Sequence, residues 1–270
     1  LAGRLARRFE RWILRRFDRV SSISRPMLDK LRDKGVAPER IFELRNWADL
    51  TRIAPGGDPA AMRAELGIAT PHVALYSGNL ANKQGLEILP EIARQLAHRR
   101  DLTIAVCGNG PLEDRLRQRA EGLENIRFFP LQPKDKLNAL LGMADIHLLP
   151  QIAGAADLVL PSKLTNMLAS GRPVIATAEA GTALAEEVEG CGRIVPPGDA
   201  AAAAAALEDL LDTPALRQSL GRHARARAVE RWDGDRILGR FAVDVTRMTG
   251  QPAGWRTGPA QPQGRGGTSK

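Results

Sequence analysis

The sequence predicts an α/β fold of the doubly wound class, a parallel sheet with helices on both faces. Three observations carry that prediction. From residue 72 onward, short apolar runs alternate with amphipathic segments, the strand-then-helix order of a parallel sheet. A turn-rich stretch, Pro55-Gly56-Gly57-Asp58-Pro59, separates this pattern from a different one before it. The 270 residues, 43% hydrophobic but only 4% aromatic, can bury a sizeable core that must be mostly aliphatic.

The first elements are helical. Segment 4–20 sets Leu5, Phe9, Trp12, Ile13, Phe17 and Val20 on one stripe with Arg on most of the remaining circumference, which predicts an amphipathic helix. Ser24-Arg25-Pro26 opens a second helix through about Lys34, with Pro26 in its first turn and Gly35 as its C-cap. Residues 40–44 read as a short strand, the loop Asn46-Trp47-Ala48-Asp49 follows, and a boundary falls at 50–60.

The alternating part places strands at 72–77, 102–107, 126–129, 146–149, 173–177 and 193–195. The helices between them fall at 85–99, 111–121, 133–142, 161–170 and 182–189. Three further helices, 199–212, 214–229 and 234–248, close the domain. Residues 250–270 are rich in Gly and Pro without periodicity and read as a disordered tail. The expected parts are therefore 1–54, 55–249 and 250–270, with no internal repeat.

Lys and Arg total 39 against 31 Asp and Glu, a net +8 that suggests a polyanionic partner. Its distribution changes that reading. Residues 1–40 hold twelve basic and five acidic side chains, residues 251–270 three and none, and residues 41–250 are close to neutral at −2. Few aromatics are present to stack on bases and no recognised module carries the charge, so nucleic acid is not expected as a partner. Cys107 and Cys191 are too few for a disulfide framework or a cysteine zinc cluster, and a reduced compartment follows. No apolar run approaches the roughly 20 residues that span a bilayer. The chain opens at Leu1, within a helical pattern, and a preceding portion is expected.

Three segments could carry chemistry. The first strand runs into Ser77-Gly78-Asn79-Leu80-Ala81-Asn82-Lys83-Gln84-Gly85, where glycines permit close approach and Lys83 supplies a charge suited to phosphate. A plain turn is the alternative, since the segment is neither a Walker loop nor GxGxxG. The second strand ends in Cys107-Gly108-Asn109-Gly110-Pro111, so two Gly-containing loops on neighbouring strands would face one crevice. In the third segment, Asp157 to Ile175, Pro161 and Ser162 start a helix with Lys163 at its head. Asn166 lies one turn on, with amide groups for a hydroxylated ligand.

The order SGN-x3-KQGLE, CGNGP, ADI-x-LLP and LPSKLTNMLASGRPVIATA resembles the C-terminal half of retaining GT-B glycosyltransferases of family 4. Within that group the wording is similar to the colanic-acid fucosyltransferase-like enzymes of bacterial exopolysaccharide and O-antigen synthesis. The resemblance spans about residues 20–248. It implies a Rossmann-like donor-binding domain preceded by the last elements of an N-terminal acceptor domain, whose remaining ~150 residues by ordinary domain size would include the catalytic His. The donor would be a GDP- or UDP-linked sugar, the acceptor a lipid-linked saccharide or polysaccharide, and neither cofactor nor metal would be required.

By the same resemblance, Gly78, Asn79, Lys83, Ser162, Lys163 and Leu164 line the donor diphosphate. Gly108, Asn109, Gly110, Leu131 and Asn166 hold the nucleotide, and Gly154 and Asp157 belong to the loop at the donor sugar. Some positions depart from the family pattern. Leu158 and Asn166 stand where many members have the two carboxylates of Glu-x7-Glu, and Asn79 stands where many have Arg. Lys83 precedes Gln84 rather than Gly85, so diphosphate neutralisation falls mainly on Lys83 and Lys163.

Two alternatives stay open: a split-chain or non-catalytic nucleotide-sugar binding module, and a sugar-nucleotide epimerase of the same architecture. Two readings of the Arg-rich helix also stay open. Residues 4–19 either dock on an anionic membrane, placing a cytoplasmic enzyme at the inner face of the plasma membrane, or pack against a preceding domain. His72, His98, His147 and His223 lack ligand spacing and read as structural or solvent-facing, and the Arg cluster at 222–231 reads as a solvated helical face.

Overall fold

A computed structural model describes residues 2–56, 58–154 and 160–249. The chain starts with α1 (Ala2–Leu14), β1 (Val20–Ser22), α2 (Arg25–Asp33) and β2 (Ile41–Glu43). β1 and β2 pair in parallel, Val20 opposite Ile41. The first helix is thus shorter than 4–20: it stops at Leu14, and Val20, expected on its stripe, begins a strand instead. A residue three steps along an apolar stripe and a residue opening a half-buried strand are both apolar, and pairing with Ile41 decides between them.

A short helix, α3 (Pro59–Glu65), follows where only a linker was expected. Its signals are local: Asp58 accepts a hydrogen bond from Ala61 N at 3.0 Å as N-cap, and Pro59 occupies the first turn. Then comes the alternation of β3 (His72–Ser77), α4 (Ile88–Gln95), β4 (Leu102–Cys107), α5 (Glu113–Arg119), β5 (Ile126–Phe129) and α6 (Leu137–Gly142). It continues with β6 (Ile146–Leu149), α7 (Lys163–Ala169), β7 (Val174–Thr177), α8 (Ala183–Val188) and β8 (Gly192–Val195). Helices α9 (Ala200–Asp212), α10 (Pro214–Arg231) and α11 (Gly234–Thr249) complete the described chain. The expected tail, 250–270, lies outside the described residues.

The six strands form one parallel sheet in the order β5-β4-β3-β6-β7-β8. All six residues of β4 are buried, as a parallel strand covered on both faces requires. Alternate residues of β3 feed opposite cores. Val73 and Leu75 join Met62, Leu141, Leu164, Met167 and Leu184 under α3, α6, α7 and α8. Ala74 and Tyr76 join Leu89, Ile92, Leu116, Leu207 and Leu210 under α4, α5 and α9. Helices α5, α7 and α8 are one or two residues shorter at each end than their sequence periodicity, whereas α4 and α6 start three and four residues late, at Ile88 and Leu137, after 3-10 turns at Asn82–Gln84 and Lys134–Lys136.

The Arg cluster at 222–231 is not simply a solvated face. Arg225 donates to Ile53 O and Ala169 O, both at 2.8 Å, and Arg227 donates to Glu187 O at 2.9 Å. Arg231 pairs with Glu187 at 2.9 Å. Arg225 and Arg227 turn inward because carbonyls at the ends of α7 and α8 need donors that their own helices lack, and Arg231 turns to the Glu187 carboxylate.

Helix α10 lies so close to the turn after α7 that a Cβ at Gly221 would stand 2.4 Å from Gly171 O, whereas one at Gly239 in α11 would meet nothing within 4 Å. Gly221→Ala is expected to lower stability by about 1–3 kcal/mol through overpacking against backbone. Gly239→Ala is expected to raise it by up to about 1 kcal/mol through helix propensity. Urea unfolding of the two variants beside the parent checks the pair; midpoints that move together contradict this packing.

Candidate functional site

Strand order reverses between β3 and β6, and a doubly wound sheet opens its ligand crevice at such a point, beyond the carboxyl ends of the strands. The register shows the opening. β3 pairs with β4 over its whole length, His72 to Ser77, but with β6 only through Ala74 opposite Ile146 and Leu75 opposite His147. Tyr76 and Ser77 therefore extend past the last pair and border the gap.

Two loops frame its mouth. The loop after β3 is fastened to the loop after β4: Gly78 N donates to Cys107 O at 2.9 Å and Leu80 N to Asn109 O at 2.8 Å. Glycine is required at both contacts, because a Cβ at Gly108 would lie 1.9 Å from Gly78 O and one at Gly110 would lie 2.6 Å from Leu80 O. At the far end of the β3 loop, Gly85 takes a left-handed φ of +64° and rests on Gln151, after β6. Gln151 is held by Thr177, whose Oγ1 accepts from Gln151 N and donates to Gln151 O, both at 2.7 Å.

Lys163, the first residue of α7, reaches into this frame. Its Nζ donates to Tyr76 Oη at 2.9 Å and to Gln84 Oε1 at 2.7 Å, and lies 4.4 Å from the centroid of the Tyr76 ring. Tyr76 is fully buried, and its hydroxyl donates to Asn79 O at 2.7 Å. Burial pushes the Lys163 ammonium down to about 8, and among the described residues no carboxylate offsets that burial. The result is an ammonium at the mouth of the crevice without a carboxylate partner among the described residues, an arrangement that favours a bound anion.

The other expected site residues distribute around it. Gly78 adjoins Lys163: a Cβ there would be 3.1 Å from Nζ. Asn79 and Asn109 are exposed on the two fastened loops, and Leu131, 59% exposed beyond β5, offers an apolar surface on the same edge of the sheet. Asn166 is half-buried and sits three residues after Lys163, on the same face of α7. Ser162 is exposed, while Leu164 is fully buried in the core and its amide donates to Pro161 O at 3.0 Å. Gly154 is an exposed turn residue with φ +73°. Lys83 lies in the 3-10 turn, its side chain outside the described structure, and Asp157 lies outside the described residues. Two residues of the cluster were not singled out from sequence: Tyr76, the one tyrosine of the chain, and Gln84.

The histidines stand away from this cluster. His147 is buried against Ser170 Oγ at 3.0 Å, and burial holds its pKa down to about 3. His98 meets Glu208 on the surface. Among the described residues no three His, Cys, Asp or Glu side chains are grouped to hold a metal ion, and no helix is long and apolar enough to cross a membrane.

The buried ammonium leaves a trace in stability. Its folded pKa of about 8 lies below the ordinary 10.5, so between those values the unfolded chain binds the extra proton and stability rises with pH. The parent is expected to gain stability relative to Lys163→Met as pH rises through that window, and to hold a constant difference below it. Denaturant unfolding across the range checks this, and a difference independent of pH contradicts it.

Comparison with known proteins places these features in a family. Residues 59–227 match the Glycosyl transferases group 1 family, and residues 1–47 match the Glycosyl transferase 4-like domain. WcaI of Escherichia coli (strain K12), whose name assigns it to colanic acid biosynthesis as a glycosyl transferase, is 40% identical over 251 residues. That match covers 90% of this chain but 60% of WcaI, so the chain spans about three fifths of that relative. HepE of Anabaena, solved in complex with UDP-glucose, superposes with a TM-score of 0.75 at 20% identity, over 89% of this chain and 67% of that one. The C-terminal domain of LpcC, a glycosyl transferase group 1 family protein of Francisella tularensis, superposes with a TM-score of 0.59 at 18% identity, over 69% of this chain and 99% of that one. The six-stranded parallel sheet has the Rossmann-like architecture of the GT-B fold, and the family match across more than half of its length makes this chain a member of the group 1 glycosyl transferases.

Proposed function

We propose that this chain is the donor-binding part of a glycosyltransferase that moves a sugar from a nucleoside diphosphate to a hydroxyl of a lipid-linked or polysaccharide acceptor. The observation that carries the reading is Lys163, an ammonium held at the switch-point crevice without a carboxylate partner. A UDP-glucose complex in the structural neighbour HepE and the colanic acid relative WcaI support the substrate classes.

In this reaction the bond from the anomeric carbon to the β-phosphate oxygen breaks, and the acceptor oxygen bonds to that carbon with retention of configuration. The acceptor hydroxyl gives up its proton, and the nucleoside diphosphate leaves with the electron pair. Charge develops on the leaving phosphate. Lys163 stabilises it there, at a position fixed before reaction, where preorganised charge lowers a barrier most. Asn79 and Asn109 offer amide groups to the nucleotide, and Asn166 to the ribose diol. Leu131 covers the base, and Gly154 with Asp157 forms the loop at the sugar. The acceptor side, with the base that takes the proton, belongs to the part of a WcaI-length enzyme that this chain does not span, so the chain alone binds donor without turnover.

On the same reading α1 docks on an anionic membrane, the surface that presents a polyprenyl-linked acceptor, at the cytoplasmic face. Leu5, Phe9 and Trp12 are 61%, 62% and 52% exposed, and Arg4, Arg7, Arg8 and Arg11 are exposed around them. The helix meets its own chain elsewhere: Glu10 pairs with Lys34, and just past its end Arg15 O accepts from Arg40 at 3.1 Å.

Two measurements test these statements. UDP, GDP or one of their sugars is expected to raise the melting temperature of the chain, with stabilisation of about 2.7 kcal/mol at a hundredfold excess over Kd, and Lys163→Ala is expected to lose most of it. Absence of any nucleotide effect, or an undiminished effect in Lys163→Ala, defeats the donor-site reading. Flotation is expected with vesicles containing anionic lipid and not with neutral ones. It should vanish in a Phe9→Ala/Trp12→Ala variant; a chain that stays at the bottom of the gradient with anionic vesicles defeats the membrane reading.

A further inference from the structure

Lys163 is held at three points, and none of them is a charge. Tyr76 Oη and Gln84 Oε1 accept from Nζ at 2.9 and 2.7 Å, and the face of the Tyr76 ring lies 4.4 Å away at its centroid. A lysine stem is long and flexible, and fixing it costs rotamer entropy that these contacts must offset. They do so with dipoles and a ring quadrupole, which orient an ammonium without cancelling it.

The partners are themselves fixed. Tyr76 is fully buried, and its hydroxyl has two acceptors for its single proton, Asn79 O at 2.7 Å and Gln84 Oε1, while the oxygen keeps a lone pair for Lys163. Gln84 Oε1 thus accepts from both Lys163 Nζ and Tyr76 Oη, which closes the cluster. Gln84 ends the 3-10 turn, and the left-handed Gly85 beside it anchors that turn on the loop after β6. An ammonium donates only, so the Gln84 amide must present its oxygen inward. The remaining side of Nζ faces Gly78, where a Cβ would stand 3.1 Å away.

We propose that Gln84 and Tyr76 are positioning residues: a neutral clamp that sets the Lys163 ammonium at the crevice mouth while leaving its whole charge for the donor diphosphate. The inference rests on the donor-site reading above and adds a role for two residues outside it. A carboxylate in place of the Gln84 amide would grip Lys163 more firmly and occupy the charge it is there to offer. Position and availability thus make opposite demands, and the amide meets both. The depressed proton affinity of Lys163, about 8, agrees with an ammonium that has no anionic partner.

If the cluster merely ties the β3 loop to α7, then a stronger acceptor serves at least as well. Gln84→Glu separates the roles because it keeps the size and the hydrogen bond and adds a charge. Without nucleotide, Gln84→Glu is expected to melt at the same temperature as the parent or higher. Its affinity for UDP and GDP, read by calorimetry, is expected to fall about tenfold or more, as one opposing charge at contact distance implies. The pH above which binding weakens should move up by about one unit or more, because the new carboxylate favours the charged lysine. Tyr76→Phe, which keeps the ring and removes the acceptor, is expected to weaken binding several-fold. Affinity within twofold of the parent in Gln84→Glu, with an unmoved pH profile, overturns the clamp. If the parent binds and Lys163→Ala does not while Gln84→Glu binds normally, the clamp falls and the donor site stands. A parent that binds neither nucleotide brings down both.

Discussion

Much of this molecule depends on a contact only two residues long. Ala74 opposite Ile146 and Leu75 opposite His147 are the pairs that join the β3-β4-β5 side of the sheet to the β6-β7-β8 side. A ladder that short holds because the cores above and below it are continuous across the junction: Val73 and Leu75 pack with Leu149 and Leu164, and Tyr76 packs with Ile146 and Leu148. Burial of side chains of this kind is worth about 1.5–3 kcal/mol each, more than two ladder hydrogen bonds at about 1 kcal/mol net. The sheet is therefore held at its centre by packing, and its hydrogen bonding can end early on the side where a ligand enters.

The net +8 lies at the two ends of the chain, residues 41–250 being −2, and the arginines of that body serve the fold. Many guanidinium groups of that body are spent on backbone carbonyls at helix and strand ends. Arg63 takes Met143 O, Arg172 takes Gly142 O, Arg217 takes Leu210 O and Leu211 O, and Arg225 takes Ile53 O and Ala169 O. Short helices expose a large share of unpaired carbonyls, and a planar five-donor group reaches two at once. Lysine would serve poorly in that task. Lys163 is correspondingly distinct: a compact ammonium held by the side-chain oxygens of Tyr76 and Gln84 rather than by a helix-end carbonyl.

The sheet was legible in the residues because strands buried on both faces are short continuous apolar runs; β3, β4, β5 and β6 fall at the bounds their runs set. Helix ends were less legible. Leu14 ends α1 although the apolar spacing continues to Phe17 and Val20, since a strand partner at Ile41 outcompetes another turn. Helix α3 was hidden behind Pro55 to Pro59, whose prolines read as linker while Pro59 in fact opens a helix. At the site, Lys163 and the glycines stood out by type. The reason for Gly108 and Gly110 did not, because the backbone they approach is that of the β3 loop and no sequence spacing reports which loop lies opposite. Gln84 and Tyr76 carry no charge and no motif, and only folding brings them to Lys163.

Helix α7 connects that cluster to the other mechanical centre of the chain. Its seven residues span about 10 Å at 1.5 Å per residue. Lys163 is at one end. At the other, Ala169 O accepts from Arg225, which also takes Ile53 O in the segment leading from β2 into the sheet domain. Nearby, the two chain crossings between the first elements and the sheet domain are bridged, Ala48 to Asp233, with Ala48 N donating to Trp232 O at 2.8 Å. Buried Glu187 of α8 meets Arg45 from one crossing and Arg231 from the other, and its burial raises its pKa against those two cations. A buried carboxylate between two guanidinium groups is costly to disrupt from either side, since removing one partner leaves charge unpaired. The linkage is thus stiff where α10 and α7 pack and where the crossings meet. Helix α7 therefore joins two kinds of contact, an arginine-held carbonyl at Ala169 and neutral acceptors at Lys163.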